Sequence, residues 1–114
     1  MKDILFLLPA DFDDRGAPWY CRECAEVRGL LAYYPQLADR LDVRVMDYPR
    51  PRAMMVEMLG EAHQNCPTLV IADDARELPG HITVGTSNGR RFVDNAKAIG
   101  EYLATAYGIG RPHP

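Results

Sequence analysis

The sequence lacks any long apolar run. Its first apolar stretch covers residues 4–8 and is closed by Pro9. A secretory signal needs an apolar stretch of about 7–15 residues, and a membrane-spanning helix needs about 20. We therefore expect a cytoplasmic protein without a membrane partner. In a reducing compartment a close pair of cysteines is more often catalytic, redox-sensing or metal-binding than a structural disulfide.

A large excess of charge is also missing. Lys and Arg number 13 and Asp and Glu number 16, which gives a net charge of −3, whereas general affinity for nucleic acid needs a basic surface. Three cysteines are too few for a disulfide-dense mini-protein, and a hydrophobic content of 47% is too high for a disordered chain. The sequence has no Gly-rich phosphate loop, internal repeat or domain linker. We therefore expect one globular domain over residues 1–114.

The apolar pattern predicts the order strand, helix, strand, helix, strand, strand, helix. The predicted strands cover residues 4–8, 41–48, 68–71 and 90–93. The predicted helices cover residues 21–34, a segment with the apolar residues Met54, Met55, Met58 and Leu59 that Gly60 ends, and a segment that Asp94 caps and Gly108 ends. Residues 10–20 and 73–87 are predicted loops, with a brief pairing at residues 82–84 as an option.

The order of these elements predicts how the strands pair. A strand–helix–strand start implies a parallel pair with a right-handed crossover. The Asn88-Gly89 turn implies that the last two strands run antiparallel. We therefore expect an α/β fold with a small mixed four-stranded sheet flanked by helices.

The sharpest motif is Tyr20-Cys21-Arg22-Glu23-Cys24, at the predicted start of the first helix. A cysteine is nucleophilic as its thiolate, and the unpaired N–H groups and partial positive charge of a helix N-terminus stabilise a thiolate. Cys24 lies about one turn further along, close enough to resolve a mixed disulfide. The motif therefore predicts thiol–disulfide exchange, with Cys21 as the nucleophile and Cys24 as the resolving thiol. The alternative is an inert pair in which Cys24 is a small core residue.

The chain resembles the thioredoxin-like superfamily, which includes the glutaredoxins, in its element order, in the Cys21/Cys24 pair and in Pro67 at the start of the third strand. The resemblance implies that Pro67 follows a cis peptide bond and packs beside the cysteine pair; an ordinary trans proline is the alternative. Cys66 would then also lie near the pair, where it could act as a third redox thiol. We place Tyr20, Cys66 and Pro67 among the substrate-binding candidates.

Residues 92–103 resemble the strand–helix junction in the amino-terminal domain of glutathione transferases. In that family an acidic residue and a serine hold the γ-glutamyl end of glutathione. The resemblance implies that Asp94 and Asn95 take this role, with glutathione as co-substrate. The alternative is that Asp94 only caps the helix.

Nearly the whole chain is similar to an uncharacterised bacterial family of thioredoxin-like proteins of unknown function. The similar stretches are residues 3–8, 20–24, 48–52 and 88–94. This resemblance implies the same fold and supplies no reaction. Arg50 and Arg52, in the third stretch, flank prolines and are typical of a solvated loop.

A metal site is a further alternative. Cys21, Cys24, His63 and Cys66 match the Cys₃His ligand set of a tetrahedral zinc site, and an iron–sulfur centre is possible with the same residues. The leading expectation needs no bound cofactor: Cys21 and Cys24 exchange disulfides with a disulfide-bearing protein or with a small thiol such as glutathione. The competing expectation is a non-catalytic binding module.

Overall fold

The computed structural model of the protein describes residues 1–73 and 75–114. The strands in that part of the chain are β1 (Asp3–Leu7), β2 (Phe12–Asp14), β3 (Ala17–Trp19), β4 (Leu41–Val45), β5 (Thr68–Ile71), β6 (Gly85–Ser87) and β7 (Arg90–Val93). The helices are α1 (Arg22–Tyr33), α2 (Leu37–Arg40), α3 (Ala53–Leu59) and α4 (Ala96–Tyr107).

Among the described residues, five strands form one mixed sheet in the order β4-β1-β5-β7-β6. β1 and β4 are parallel, as the strand–helix–strand start predicts, and β5 is antiparallel to both β1 and β7. The expectation of four strands is wrong, because the Asn88-Gly89 turn joins β7 to the extra strand β6 and not to β5. Both turn residues have positive φ, 51° and 71°, as a two-residue hairpin turn requires. The Gly-Thr-Ser sequence of β6 has no apolar alternation that would identify it as a strand.

The prediction of a loop over residues 10–20 is also wrong. This segment folds into a hairpin in which β2 and β3 pair antiparallel around Arg15 and Gly16. These two turn residues have φ values of 55° and 77°, which match a tight hairpin turn. The ring of Phe12 stacks on that of Tyr48 at a centroid distance of 4.3 Å. The hairpin is therefore packed against the segment that follows β4.

The core surrounds β1 and includes buried residues of β5, β7, α1, α3 and α4. Leu5, Phe6 and Leu7 are fully buried, which explains why β1 has a continuous apolar sequence. α1 packs against α4, with Val27 on α1 and Ile99 on α4 both at 0% exposure. Removal of this apolar surface from water stabilises the first helix on the sheet, with its N-terminus near the end of β1.

The apolar face of α3 is narrower than predicted. Met55 and Leu59 are fully buried, but Met54 is 44% exposed. α3 has seven residues. Its two fully buried residues are four positions apart and therefore lie on the same face of the helix. Gly60 ends this helix and Gly108 ends α4, as predicted.

A buried carboxylate joins the two ends of the chain. Asp3 on β1 is 1% exposed and accepts hydrogen bonds from the hydroxyls of Tyr102 and Tyr107 on α4. It also accepts the backbone N–H of Ala72 at 2.8 Å. Because these donors satisfy the carboxylate, its burial is tolerated. In the described part of the chain, no helix has the length and apolar character needed to cross a membrane.

Candidate functional site

Cys21 is the N-cap residue of α1, so the prediction that the cysteine pair opens the first helix is confirmed. Its backbone is extended, with φ −79° and ψ 118°. Its Sγ accepts the backbone N–H of Cys24 at 3.2 Å, one of the N–H groups that have no partner within the helix. The sulfur is half-buried. A negative charge on it would be stabilised by this N–H and by the helix dipole.

Cys24 lies beneath Cys21 on the inner face of α1. It is 5% exposed, and its Sγ lies 3.4 Å from the backbone N of Leu8, which donates to it. Burial raises the pKa of the Cys24 thiol to about 12, although the Leu8 hydrogen bond acts in the opposite direction. Cys24 is therefore a protonated thiol near neutral pH.

Cys66 and Pro67 lie beside Cys21, where β5 begins. The Cys66–Pro67 peptide bond is cis, as the thioredoxin resemblance implies. The carbonyl oxygen of Cys66 is 3.7 Å from Cys21 Sγ, whereas the sulfur of Cys66 contacts Met55 Sδ at 3.6 Å in the core. Burial raises the pKa of the Cys66 thiol to about 11, against the opposing charges of Arg52 and Arg50. Cys66 therefore presents its backbone, and not its thiol, to Cys21.

Arg52 is a buried residue, and the expectation that it belongs to a solvated loop is wrong. It is 7% exposed, and its guanidinium donates to the carbonyl oxygens of Asp47, Tyr48 and Gln64. Its backbone N–H donates to Gln64 Oε1 at 2.6 Å. Five fixed donors allow an arginine to hold several carbonyl groups at once. Arg52 thereby ties the segment after β4 to the segment that leads into Cys66.

The N-terminus of α4 is capped by Asn95 and not by Asp94. Asn95 has an extended backbone, and its side chain accepts the N–H of Ala98 at 2.9 Å. Asp94 is exposed. The carboxylate of Glu23 on α1 accepts the N–H of Ala96 at 2.9 Å. Asp94 and Asn95, the residues of the predicted γ-glutamyl site, therefore lie near α1. At the N-terminus of α4, however, the carboxylate of Glu23 already accepts a backbone N–H.

A cleft of about 320 Å³ opens beside Cys21. It lies between the end of β1 and the first turns of α1. Its walls include Leu8, Pro9 and Tyr20, and both Cys21 and Cys24 line it. Tyr20, one of the substrate-binding candidates, also lines the cleft and is 64% exposed.

The residues of the metal alternative are not gathered around one point. His63 packs against Phe92, with ring centroids 4.7 Å apart, and Cys66 directs its sulfur towards Met55. Over residues 1–73 and 75–114, no group of three or more His, Cys, Asp or Glu side chains is arranged to hold a metal ion.

Sequence reasoning missed three contributors to the site: Arg52, Glu23 and the backbone N–H of Leu8. Arg50 and Arg52 have the same proline-rich surroundings in the sequence, so nothing in the pattern identifies the buried one. The contacts of Glu23 and Leu8 join residues that are far apart along the chain. The acidic residue in the first turn of α1 was the available signal for Glu23.

Comparison with known proteins matches the chain to one family. The model of the family described as "Protein of unknown function (DUF3088)" matches residues 2–111. The searches of curated proteins and of solved structures gave no match.

Proposed function

The chain belongs to the DUF3088 family of proteins of unknown function, and from its site we propose that it carries out thiol–disulfide exchange. Cys21 is the attacking nucleophile and Cys24 is the resolving thiol. The substrate is a disulfide-bearing protein or a small disulfide. The observation that carries this proposal is the hydrogen bond from Cys24 N–H to Cys21 Sγ, at 3.2 Å.

The difference between the two thiols supports their roles. Cys21 is half-buried and faces a cleft, so a substrate sulfur can reach it. Cys24 is buried, and its pKa is raised to about 12. It therefore stays protonated and does not compete as the first nucleophile. It lies next to Cys21 and can attack once Cys21 has formed a mixed disulfide.

The reaction balances without a bound cofactor. The Cys21 thiolate attacks one sulfur of the substrate disulfide, forms a Cys21–substrate disulfide and releases the other substrate sulfur as a thiolate. That thiolate takes the proton of Cys24. The Cys24 thiolate then attacks Cys21 Sγ and releases the second substrate thiolate. The cysteine pair loses two electrons and the substrate disulfide gains them.

We further propose that the fold is a thioredoxin-like arrangement. The supporting features are the parallel β1/β4 pair, the antiparallel β5 and β7 strands beyond β1, and the cysteine pair at the start of the helix that leads from β1 towards β4. Pro67 at the start of β5 is adjacent to Cys66, whose carbonyl faces Cys21. The hairpin β2–β3 and the strand β6 are additions to that arrangement.

Three single substitutions test the roles of the cysteines. With an insulin-type protein disulfide and, separately, a dialkyl disulfide as substrates and a dithiol as reductant, Cys21→Ser should abolish the reduction that exceeds the rate with the dithiol alone. After reaction with the substrate disulfide without added dithiol, Cys24→Ser should accumulate a mixed disulfide on Cys21, which mass spectrometry detects. Cys66→Ser is the matched control and should retain activity, because its sulfur lies in the core against Met55.

Full turnover in both Cys21→Ser and Cys24→Ser would refute the proposal. Elemental analysis of protein purified without added metal tests the metal alternative. One zinc or iron per chain, lost on substitution of His63, would favour that alternative over exchange.

A further inference from the structure

The surroundings of Cys21 differ on its two sides. One side is the cleft formed with the end of β1. The other is a depression lined by Arg22, Glu23 and Glu26; we call it the α4 side because Glu23 bonds to the N–H of Ala96 at the start of α4. Because a substrate disulfide reaches Cys21 Sγ through one of these sides, their chemistry influences which substituents the substrate can carry.

The cleft side is mainly apolar. Leu7, Leu8, Pro9 and Tyr20 are among the residues that line it. Asp11 and Arg28 are also part of the lining; both are exposed, and their opposite charges leave the cleft without a net charge. A volume of about 320 Å³ is at the lower end of small-molecule sites, which span about 300–1,000 Å³.

The α4 side is acidic. Arg22, Glu23 and Glu26 line a depression next to Cys21, so two carboxylates face one cation. Glu23 also occupies the N–H of Ala96 at the start of α4. A substrate carboxylate that approached this helix end would meet a bonded N–H and a net negative charge.

We propose that Cys21 accepts small aliphatic disulfides whose substituent is uncharged and enters the cleft, and that Glu23 disfavours substrates with a carboxylate, such as glutathione disulfide. This inference rests on the proposed role of Cys21 as the nucleophile. The added claim is the class of substrate, which the chemistry on the two sides of Cys21 determines.

Three methanethiosulfonate reagents, one neutral, one anionic and one cationic, test this preference for uncharged substituents. Each reagent transfers its alkylthio group to the Cys21 thiolate, which forms one disulfide bond and releases methanesulfinate. The bond formed and the leaving group are therefore the same for all three reagents. The three substituents are butyl, sulfonatoethyl and trimethylammonioethyl. The protein is the Cys24→Ser/Cys66→Ser variant, in which Cys21 is the remaining thiol. Each rate is divided by that of the same variant unfolded in urea.

The butyl reagent should react about tenfold faster than the anionic one after this correction, since apolar contact and charge act together. It should also react faster than the cationic reagent. A cationic rate equal to or above the butyl rate would overturn the cleft as the binding place, because charge alone would then explain the order. Equal corrected rates for all three would overturn the whole inference.

Two substitutions separate the two sides. Tyr20→Ala should lower the butyl rate several-fold and leave the anionic rate unchanged. Glu23→Gln keeps an oxygen that can accept the Ala96 N–H and removes one charge, so it should raise the anionic rate several-fold. Glu57→Gln, on the exposed face of α3, removes the same charge elsewhere and should change neither rate. An unchanged anionic rate in Glu23→Gln would contradict the role of Glu23.

This labelling uses neither Cys24 nor catalytic turnover. Failure of the proposed function would appear as no disulfide reduction by the wild-type protein, whatever the order of the labelling rates. Failure of this inference would appear as non-selective labelling in a protein that still reduces disulfides.

Discussion

At the scale of single residues, three cysteines with the same side chain lie in different environments. Cys21 is half-buried at a helix start, Cys24 is buried under it, and Cys66 is buried against Met55. The partial exposure of Cys21 favours reaction there, whereas burial raises the pKa of the Cys24 and Cys66 thiols. The sequence predicted that Cys21 opens the first helix and that Cys24 lies on its inward face, because both follow from position in the helix.

We expect iodoacetamide to modify Cys21 first in the native protein near neutral pH. Cys24 and Cys66 have pKa values raised by burial to about 12 and about 11, so their thiolate fractions are small and grow about tenfold for each pH unit below those values. Peptide mapping by mass spectrometry over time, at several pH values, measures the three rates. Modification of Cys24 at the rate of Cys21 near neutral pH would contradict this account, and urea-unfolded protein is the control in which the rates converge.

Arg52 gives a second prediction at this scale. Arg52→Ala leaves the carbonyl oxygens of Asp47, Tyr48 and Gln64 without their donor, and the bond to Gln64 is buried. We expect a loss of about 3 kcal/mol in the free energy of unfolding. Arg50→Ala, two residues away and exposed, is the matched control and should cost less than about 0.5 kcal/mol. Urea unfolding of both variants measures the difference in their free energies of unfolding. Equal stabilities would show that Arg52 does not hold the two segments together.

At the scale of secondary structure, the elements with clear periodic patterns were predicted and the short ones were not. β1, α1, α3, β5, β7 and α4 follow apolar periodicity or strong end signals. The hairpin β2–β3 and the strand β6 have three-residue strands with mixed exposure, which is too short for alternation to be seen. Their pairing depends on turn conformation and on partners elsewhere in the chain.

The cap of α4 gives a prediction at this scale. Asn95→Ala removes the acceptor for the Ala98 N–H and should lower the free energy of unfolding by about 1 kcal/mol. Asp94→Ala should have little effect, because the Asp94 side chain is exposed and its neighbour caps the helix. Thermal unfolding of the two variants decides between the positions, and a larger loss in Asp94→Ala would restore Asp94 as the cap.

At the scale of the whole molecule, several protonated groups are buried in the folded state. Burial raises the pKa values of Cys24 and Cys66, and burial together with hydrogen bonds to Asp3 raises those of Tyr102 and Tyr107 well above the usual tyrosine value. In the unfolded chain these groups lose their protons at lower pH than in the folded protein. The folded state therefore holds more protons than the unfolded state in alkaline solution.

The stability of the protein should therefore fall above about pH 9, where unfolded thiols ionise, and the contribution of these groups to stability should be independent of pH below that value. Each thiol can contribute at most about 1.4 kcal/mol per pH unit between its unfolded and folded pKa values. Thermal unfolding midpoints across this pH range, with a reductant present, measure the effect. The Cys24→Ser/Cys66→Ser variant should show a shallower fall, and a wild-type midpoint that stays constant through the range would contradict the burial of these thiols.

The sequence by itself determined the α/β class, the parallel start of the sheet and the place of Cys21 and Cys24 at the first helix. These features depend on local periodicity and on residues near one another in the chain, and such signals survive without knowledge of the fold. The tertiary structure decided the fifth strand, the burial of Arg52 and the contact of Glu23 with α4. Each of these depends on groups separated by many residues, and only the packed chain brings those groups within hydrogen-bonding distance.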